Sequence, residues 1–242
     1  MTDKIFIFGA SSNIGIKYIS SLKKDTQIIA HYNQSREKLD ELKKINNLNL
    51  SLYKADLKKD YEVRSMIDEI EKNYGTPNKI ILLASPRLEY IRFKEIKWEK
   101  IDQDIISTLR SYTLILNQFV PNLAKERRGK IVVMLSSVVL GIPPKFLTHY
   151  TILKYSLLGL VKSIASEYGD KNIQINSISP SMIDTNFISD LNEKLVEINV
   201  STHPLKRIAE VSDIIPILEM LLSENSNYIN GINIPVTGGL IY

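Results

Sequence analysis

A serine, a tyrosine and a lysine in the middle of the chain have a spacing that could support proton transfer. Ser137 follows the apolar run Ile131–Leu135, which is typical of a strand buried on both faces. Tyr150 lies thirteen residues after Ser137, and Lys154 lies four residues after Tyr150. A spacing of four places two side chains on one face of a helix, near enough to interact. The three residues are therefore candidates for a common site.

These residue types predict proton transfer at a carbonyl or an alcohol. A free tyrosine has a pKa of about 10, so it carries protons poorly at neutral pH. A nearby lysine ammonium favours the phenolate and lowers that pKa. A tyrosine tuned in this way can give a proton to a forming alkoxide or take one from an alcohol. We expect Lys154 to tune Tyr150, and the Ser137 hydroxyl to hydrogen-bond the same substrate oxygen.

Tyr-x-x-x-Lys is a common pattern, and the chain contains a second copy at Tyr90 and Lys94. The residue thirteen positions before Tyr90 is Pro77, which lies in a turn-like Gly-Thr-Pro-Asn stretch. Only the copy at Tyr150 follows a serine at the end of a predicted buried strand.

Ser137, Tyr150 and Lys154 at these spacings resemble the active site of the short-chain dehydrogenases/reductases. The resemblance implies that Tyr150 is the acid/base, that Lys154 also binds the nicotinamide ribose, and that Ser137 orients and polarises the substrate oxygen. The family's fourth catalytic residue is an asparagine that holds a proton-relay water beside the lysine. The matching position here is Thr108, whose side chain can bind water but has a shorter reach.

The first predicted strand and the turn after it form a phosphate-binding pattern. Strand Lys4–Phe8 leads into a turn of small residues and a helix, where a pyrophosphate could meet free N–H groups and the helix dipole. The family carries Thr-Gly-x-x-x-Gly-x-Gly here, and this chain has Phe8 for the threonine and Asn13 for the middle glycine. Asparagine tolerates a left-handed backbone, so the turn can survive, although an ordinary tight strand–helix turn is the alternative. The resemblance assigns to cofactor binding Gly9, Ser11, Ser12, Asn13, Ile14 and Gly15.

The end of the second predicted strand bears on cofactor preference. NAD-dependent members place an acidic residue there to accept hydrogen bonds from the ribose 2′-OH. This chain has no acid until Glu37. A carboxylate would repel a 2′-phosphate, whereas Ser35 and Arg36 could bind one, unless Arg36 is only a solvated residue of the next helix. We expect NADP(H) to be favoured over NAD(H), with contacts from Tyr32, Asn33, Ser35 and Arg36.

The resemblance assigns further cofactor contacts to the ends of later strands. Asp56, followed by Leu57, occupies the position that contacts the adenine amino group, although capping a helix that begins near Lys59 is an equal alternative. The fourth strand ends in Leu82-Leu83-Ala84-Ser85, where the family has Asn-Asn-Ala-Gly. We therefore expect apolar packing of the two leucines to replace the hydrogen bonds that the two asparagines make in the family. Cofactor contacts near the nicotinamide are assigned to Ala84, Pro180, Ser181, Ile183 and Thr185, with Ser181 in place of a glycine.

The order of the predicted elements indicates a single α/β domain over residues 1–242. Strands alternate with helices through six units and a terminal strand, as in a doubly wound parallel sheet of the Rossmann type with three layers, α/β/α. A long helical segment runs from Trp98 to about Arg128, with a mild interruption at Pro121. Residues from about 184 to 206 have a weak pattern and are predicted to form the substrate lid.

Composition excludes several other classes of function. The net charge of +4 is mild, and the chain lacks the interleaved basic and aromatic pattern of a nucleic-acid groove. The absence of cysteine excludes disulfides and thiolate metal sites, and three scattered histidines do not predict a zinc site. The N-terminus lacks a signal-peptide pattern, and no apolar run is long enough to span a membrane. We expect a soluble cytoplasmic protein without a metal, a nucleic-acid partner or a membrane partner.

The resemblance implies an NADP-dependent carbonyl reductase or alcohol dehydrogenase. Among family members the chain is most similar to the 3-oxoacyl-[acyl-carrier-protein] reductase group, which implies a 3-oxoacyl thioester as one candidate substrate. The divergent enoyl reductases space tyrosine and lysine more widely, which disfavours their reaction here. One alternative is a dinucleotide-binding protein with weak or lost catalysis, acting as a sensor or assembly subunit. A nucleotide-sugar epimerase or dehydratase is less consistent with the chain length.

A homodimer or homotetramer is expected from the resemblance, through the long helices and the C-terminal strand. The apolar positions that would suit a dimer face equally suit the core, and they are Leu109, Tyr112, Leu116 and Phe119.

Overall fold

A parallel sheet of seven strands forms the centre of the protein in the described part of the chain. The computed structural model describes residues 3–46, 48–188, 191 and 193–240. The strand order is β3-β2-β1-β4-β5-β6-β7, and all neighbouring strands are parallel. The strands are β1 (Lys4–Phe8), β2 (Gln27–Tyr32), β3 (Leu50–Lys54), β4 (Lys79–Leu82), β5 (Gly129–Met134), β6 (Ile173–Pro180) and β7 (Asn233–Val236).

Helices cover both faces of this sheet. The helices are α1 (Asn13–Ser21), α2 (Glu37–Asn46), α3 (Asp60–Tyr74), α4 (Trp98–Asp104), α5 (Ser111–Glu126), α6 (Thr148–Tyr168), α7 (Glu193–Thr202) and α8 (Val211–Leu222). This arrangement confirms the predicted doubly wound α/β/α fold. The strand order reverses between β1 and β4, so the carboxyl ends of these strands flank the crevice where ligands bind in such folds.

Alternating residues of the strands supply two separate cores. Phe6 and Phe8 of β1 pack on the side of α3, α5 and α6, and Ile5 and Ile7 pack on the side of α1, α2 and α8. Successive side chains of a strand point to opposite faces, so a sheet covered on both sides requires apolar residues at every position. This requirement explains the uninterrupted apolar runs in the sequence.

The long helical segment is interrupted at a different place from the one predicted. Helix α5 continues through Pro121. The change in geometry lies earlier, in a π-helical turn over Ile105–Arg110 that joins α4 to α5. Isolated π-helical turns within α-helices frequently occur at functional sites. Thr108 lies in this turn.

The candidate dimer positions belong mainly to the interior of the subunit. Tyr112, Leu116 and Phe119 are buried in the core between α5 and the sheet, and Leu109 is partly buried against it. Of the two interpretations left open by the sequence, the core is therefore the correct one for these three side chains.

The predicted lid contains a helix and is attached to the sheet edge at both ends. Helix α7 lies inside the segment, although the sequence pattern there is weak. The backbone N–H of Ala209 donates to Met182 O at 2.9 Å, and the N–H of Asp184 donates to Ala209 O at 2.8 Å. Residues 189, 190 and 192 of the predicted lid lie outside the described residues.

A helix that crosses a lipid bilayer needs about 20 predominantly apolar residues. Within the described ranges, no helix combines the length and the apolar character needed to cross one.

Two helical glycines allow a matched test of the turn after β1. A Cβ on Gly15 would lie 2.4 Å from the carbonyl oxygen of Ala10, whereas a Cβ on Gly159 in α6 would have no neighbour within 4 Å. We expect Gly15→Ala to lower the free energy of unfolding by about 1–3 kcal/mol, since it displaces packed backbone. Gly159→Ala should raise it by up to about 1 kcal/mol through helix propensity.

Urea denaturation of both variants at one protein concentration measures these opposite effects. Equal stability of Gly15→Ala and the wild type would contradict the packing described for the turn.

Candidate active site

Helix α6 brings Tyr150 and Lys154 to the carboxyl end of β5, as predicted. Both side chains are buried, with exposed fractions of 5% and 1%. The Lys154 Nζ donates to the carbonyl oxygen of Met134, the last residue of β5, at 3.0 Å. The same Nζ lies 5.4 Å from the centre of the Tyr150 ring. The tyrosine and the lysine therefore form a buried pair at the edge of the sheet where ligands are expected.

The pKa of the phenol moves in the direction opposite to the prediction. Burial raises the pKa of Tyr150 to about 12, and the side chains of Ser85 and Ser136 oppose that rise only in part. Burial also lowers the pKa of Lys154 to about 7, so its amine is only partly charged at neutral pH. The expectation of a lowered pKa for Tyr150 is therefore wrong for this structure, because desolvation dominates both groups.

Two serines at strand ends lie beside the phenol. Ser85 and Ser136 both favour the ionised form of Tyr150, although no direct hydrogen bond of ordinary length joins either one to it among the described residues. Sequence reasoning missed Ser85 and passed over Ser136, because the family spacing selected Ser137. Ser137 is not among the side chains that shift the pKa of Tyr150, and its role in orienting substrate stays a prediction.

Thr108 is buried in the π-helical turn, with an exposed fraction of 1%. This turn packs against α6, the helix that carries Tyr150 and Lys154. The structure therefore places the turn that contains Thr108 next to α6, as a relay beside Lys154 requires. The part of Thr108 in a proton relay stays a prediction.

Sequence reasoning also missed a buried polar pair next to the tyrosine. His149 and Asp104 are both buried, and neither ring nitrogen of His149 has a hydrogen-bond partner within the described residues. Burial lowers the pKa of His149 and raises the pKa of Asp104, while Lys100 opposes the rise at Asp104 from 3.3 Å. These residues link α4 to α6 beneath the candidate site.

The turn after β1 has the geometry of a phosphate-binding turn. Gly9 has a φ of +84°, and a Cβ there would lie 2.7 Å from the backbone nitrogen of Ala84. The Ser12 hydroxyl caps α1 by accepting from the Gly15 N–H at 3.2 Å. Asn13 is the first residue of α1 and has no left-handed backbone, so the prediction for Asn13 is corrected: Gly9 supplies the positive φ.

Ser11, Ile14 and Ala10 complete this turn, and the arrangement fits a dinucleotide. Ala10 and Ile14, the second residue of α1, are buried, and Ser11 is half-buried at the surface of the turn. At Gly9 and Gly15 a Cβ would collide with the backbone of Ala84 and Ala10, so the tight turn requires glycine at both positions. A pyrophosphate would meet the N-terminus of α1 there.

His31 fixes the same turn and was not identified from the sequence. Its Nδ1 accepts from the Gly9 N–H at 3.1 Å, so its Nε2 carries the proton and donates to Ala55 O at 3.0 Å. The imidazole stacks on Phe8 at 4.3 Å between ring centres. Burial lowers the pKa of His31 to about 4, which keeps the ring neutral and preserves this donor–acceptor pattern.

The predicted 2′-phosphate residues lie together at the end of β2. Tyr32 is buried, Asn33 is half-buried and Ser35 is exposed. Arg36 is also exposed, and its Nε donates to Asp40 at 2.8 Å on the same helix. The structure thus gives Arg36 a partner one helical turn away, and its role in cofactor preference stays a prediction.

Asp56 has a local role that differs from the predicted cap. Its Oδ1 accepts from the Lys58 N–H at 3.0 Å, and the cap residue of α3 is Lys59, without a side-chain hydrogen bond. The helix-capping alternative is therefore wrong, and the adenine contact of Asp56 stays a prediction. Leu57 accepts a hydrogen bond from Arg110 through its carbonyl oxygen at 3.3 Å, which ties this segment to the π-helical turn.

Leu82 and Leu83 replace the expected polar pair by packing. Both leucines are buried, and they belong to the two cores on opposite faces of the sheet. Ala84 is held by its carbonyl oxygen, which accepts from the Tyr112 hydroxyl at 2.7 Å. The prediction that packing takes over at this strand end is confirmed.

The segment after β6 connects the sheet to the lid. Pro180 ends β6, and the buried Ser181 hydroxyl has no hydrogen-bond partner in the described part of the chain. Ile183 pairs with Ala209 at the base of the lid. The Thr185 hydroxyl accepts from the Phe187 N–H at 3.3 Å, and the Phe187 ring centre lies 6.4 Å from that of Tyr150. The segment predicted to form the lid therefore approaches the buried phenol through Phe187.

The fold and site define a dinucleotide-binding α/β protein with a buried tyrosine–lysine pair beside the cofactor turn. A sequence profile described as enoyl-(acyl carrier protein) reductase matches residues 9–241, which is nearly the whole chain. The chain belongs to the short-chain dehydrogenase/reductase family and is an NAD(P)-dependent oxidoreductase that acts on CH–OH and C=O groups.

Two curated relatives have a similar length. A 3-oxoacyl-[acyl-carrier-protein] reductase FabG of Staphylococcus aureus is 28% identical over 247 residues, covering 99% of this chain and 98% of the relative. The FabG of Thermotoga maritima is 27% identical over 241 residues, covering 97% of this chain and 96% of the relative.

Two solved structures share the fold. One is described as ElxO with NADP bound, with a TM-score of 0.87 and 23% identity, covering 99% of each chain. The other is levodione reductase, with a TM-score of 0.88 and 22% identity, covering 99% of this chain and 98% of the other.

The buried Lys154 gives a pH-dependent prediction of stability. In the unfolded chain this lysine keeps its proton up to its ordinary pKa of 10.5, whereas the folded protein releases the proton near pH 7. Stability from this group therefore rises as pH increases between these values. We expect Lys154→Met to raise the free energy of unfolding, and to raise it more at pH 6 than at pH 10 by up to about 4 kcal/mol.

Urea denaturation at the two pH values measures the difference. Lys162→Met is the matched control, since it removes an exposed amine from the same helix that also donates to a backbone carbonyl. A gain for Lys154→Met that is the same at both pH values would contradict the burial of a titrating amine.

Proposed function

We propose that the protein is an NADPH-dependent carbonyl reductase that acts on a 3-oxoacyl thioester. The observation that carries the proposal is the buried pair of Tyr150 and Lys154 at the end of β5, next to the glycine turn after β1. In this proposal Tyr150 is the proton donor, and Ser137 and Ser136 hydrogen-bond the substrate oxygen. When bound, the nicotinamide supplies the hydride.

The protonation state of the phenol suits its role as the proton donor in carbonyl reduction. A tyrosine whose pKa is raised to about 12 holds its proton at neutral pH. A forming alkoxide is far more basic than a phenolate, so Tyr150 can give up this proton as the carbonyl is reduced.

Lys154 is suited to return a proton to the site. With a pKa of about 7, its amine is present in charged and neutral forms at neutral pH. Nζ lies 5.4 Å from the centre of the Tyr150 ring, so a charged amine would stabilise the phenolate left after proton donation. By resemblance, Lys154 also holds the nicotinamide ribose, and Thr108 holds a relay water.

The preference for NADP(H) is supported by the end of β2. This strand end lacks the acidic residue that would repel a 2′-phosphate, and it presents Ser35 and Arg36 instead. The solved structure of the similar ElxO contains NADP.

The thioester substrate is supported by the relatives and by the lid. The FabG proteins of similar length are 3-oxoacyl-[acyl-carrier-protein] reductases by name. Phe187 packs near the Tyr150 ring, and an apolar lid residue in this place could contact an acyl chain. The lid over residues 184–206, a homodimer or homotetramer, and a cytoplasmic location belong to the same proposal.

A dinucleotide-binding protein with weak or lost catalysis is the second candidate. Thr108 favours it, since this residue stands where the family has its relay asparagine. Oxidation of NADPH across a panel of ketones and 3-oxoacyl thioesters separates the two candidates, because a sensor would bind the cofactor and leave it unconsumed.

Replacement of the phenol tests the proton donor. Tyr150→Phe should lower turnover by about 10²–10⁴-fold, the usual contribution of a positioned general acid, while NADPH binding is retained. Turnover is measured by NADPH absorbance and binding by thermal shift. Tyr90→Phe is the matched control, because Tyr90 belongs to the second Tyr-x-x-x-Lys copy and should leave turnover unchanged. Undiminished turnover in Tyr150→Phe would assign the acid to another residue.

Replacement of Arg36 tests the cofactor preference. Arg36→Ala should raise the KM for NADPH about tenfold or more, because a charge-assisted hydrogen bond to phosphate is lost, and should leave the KM for NADH unchanged. Arg64→Ala is the control, since Arg64 is likewise exposed and paired with an aspartate four residues away, Asp60, at 2.6 Å. An equal effect of Arg36→Ala on both cofactors would remove the 2′-phosphate contact from the proposal.

A further inference from the structure

We infer that Ser85 is a further substrate-positioning residue, whose hydroxyl forms with those of Ser136 and Tyr150 a three-hydroxyl cradle for the substrate's carbonyl oxygen. This inference rests on the proposed function, because the ligand that it assigns is the oxygen that accepts the proton. It adds to the reaction a residue of the segment that follows β4, to which the sequence assigned only cofactor contacts.

The register of the sheet places the two serines side by side. Leu82 of β4 pairs with Val133 of β5. Ser85 and Ser136 each follow three residues later, so they leave the sheet at the same level on adjacent parallel strands. Tyr150 reaches this level from α6, on the side where Lys154 binds Met134.

The backbone before Ser85 is held by hydrogen bonds on both of its sides. The Leu83 N–H donates to Phe8 O at 2.8 Å, and the Tyr112 hydroxyl donates to Ala84 O at 2.7 Å. Ala84 also lies against Gly9, where no side chain intervenes. Ser85 is thus positioned by the sheet and by α5, which is the precision that a substrate-positioning group requires.

The Ser85 hydroxyl is buried and has no hydrogen-bond partner within the described residues. Most buried side-chain hydroxyls in proteins are paired, because an unpaired one loses its hydrogen bonds to water without compensation. An unpaired hydroxyl beside a reactive group is therefore better explained by a ligand than by the fold.

The Tyr150 phenol connects the two serines. Both side chains favour its ionised form, so both lie near the phenol. The Ser136 Oγ also accepts from the Val138 N–H at 3.4 Å, which leaves its own O–H available to donate. Three hydroxyl groups that can donate therefore lie close together beyond the carboxyl ends of β4 and β5.

Three hydroxyl donors match the alkoxide oxygen formed by hydride addition better than they match the carbonyl oxygen of the substrate. A carbonyl oxygen has two lone pairs, whereas the alkoxide that forms has three and carries a negative charge. Donors that are fully used only as this charge develops stabilise the transition state more than the bound ketone. Ser85 is expected to affect turnover more than substrate binding for this reason.

The test compares Ser85→Ala with Ser179→Ala in the full chain. Ser85→Ala should lower kcat tenfold or more, leave the KM for NADPH unchanged, and leave the thermal midpoint equal or higher, because no internal hydrogen bond is lost. Ser85→Thr, which keeps a hydroxyl, should recover part of the rate. Ser179→Ala should instead lower the midpoint and spare kcat, because the Ser179 hydroxyl donates to Asn233 at 2.8 Å.

A readout independent of turnover is the titration of Tyr150 by ¹³C NMR with tyrosine labelled at Cζ. The signal is assigned by its loss in Tyr150→Phe, and Ser85→Ala should move its titration to higher pH. A kcat within twofold of the wild type, or an unmoved titration, overturns the inference. If the wild type reduces no carbonyl in the panel, the proposed function fails, and the titration alone then supports or overturns the contact between Ser85 and the phenol.

Discussion

The burial of Lys154 is the constraint on which the arrangement of the site depends. A buried amine needs an acceptor, and Met134 O at the end of β5 supplies it at 3.0 Å. This hydrogen bond fixes the position of α6 along the sheet. Tyr150, one helical turn earlier, is thereby placed over the ends of β4 and β5. Burial of a lysine costs stability, and proteins retain such costs mainly at functional sites.

A second chain of contacts joins the cofactor turn to the reaction site. His31 accepts from the Gly9 N–H, and Gly9 has no side chain where Ala84 approaches. Ala84 is bound in turn by Tyr112, and Ser85 follows directly. The position of the turn that would hold a pyrophosphate and the position of a hydroxyl beside Tyr150 are therefore set by one connected set of contacts. This arrangement depends on a neutral His31, because one ring nitrogen must accept from the Gly9 N–H while the other donates to Ala55 O.

The departures from the family's sequence pattern have identifiable physical consequences. Leu82 and Leu83 exchange strand-end hydrogen bonds for burial in two cores. Ser85 and Ser181 each add a hydroxyl where the family has glycine, and both hydroxyls are buried without a partner in the described residues. Thr108 retains a hydroxyl in a π-helical turn that packs against α6. The site thus contains more serine and threonine hydroxyl groups than the resemblance implies. The asparagine side chains that the family has at the end of β4 and at the relay position are replaced here by Leu82, Leu83 and Thr108.

The sequence alone determined the order of strands and helices, the glycine turn, and the placement of Tyr150 and Lys154 on one helix face. These features depend on local periodicity and on residue types a few positions apart, which a single sequence displays directly. Only the tertiary structure decided that Ser85 and Ser136 face the phenol, that its pKa rises, and that His31 holds the turn. It also assigned Tyr112 and Phe119 to the core and the helical break to residues 105–110. Each of these depends on burial, or on contacts between segments far apart in the chain, and the free energy of desolvating a charge or hydroxyl is set by those contacts and not by the residue type.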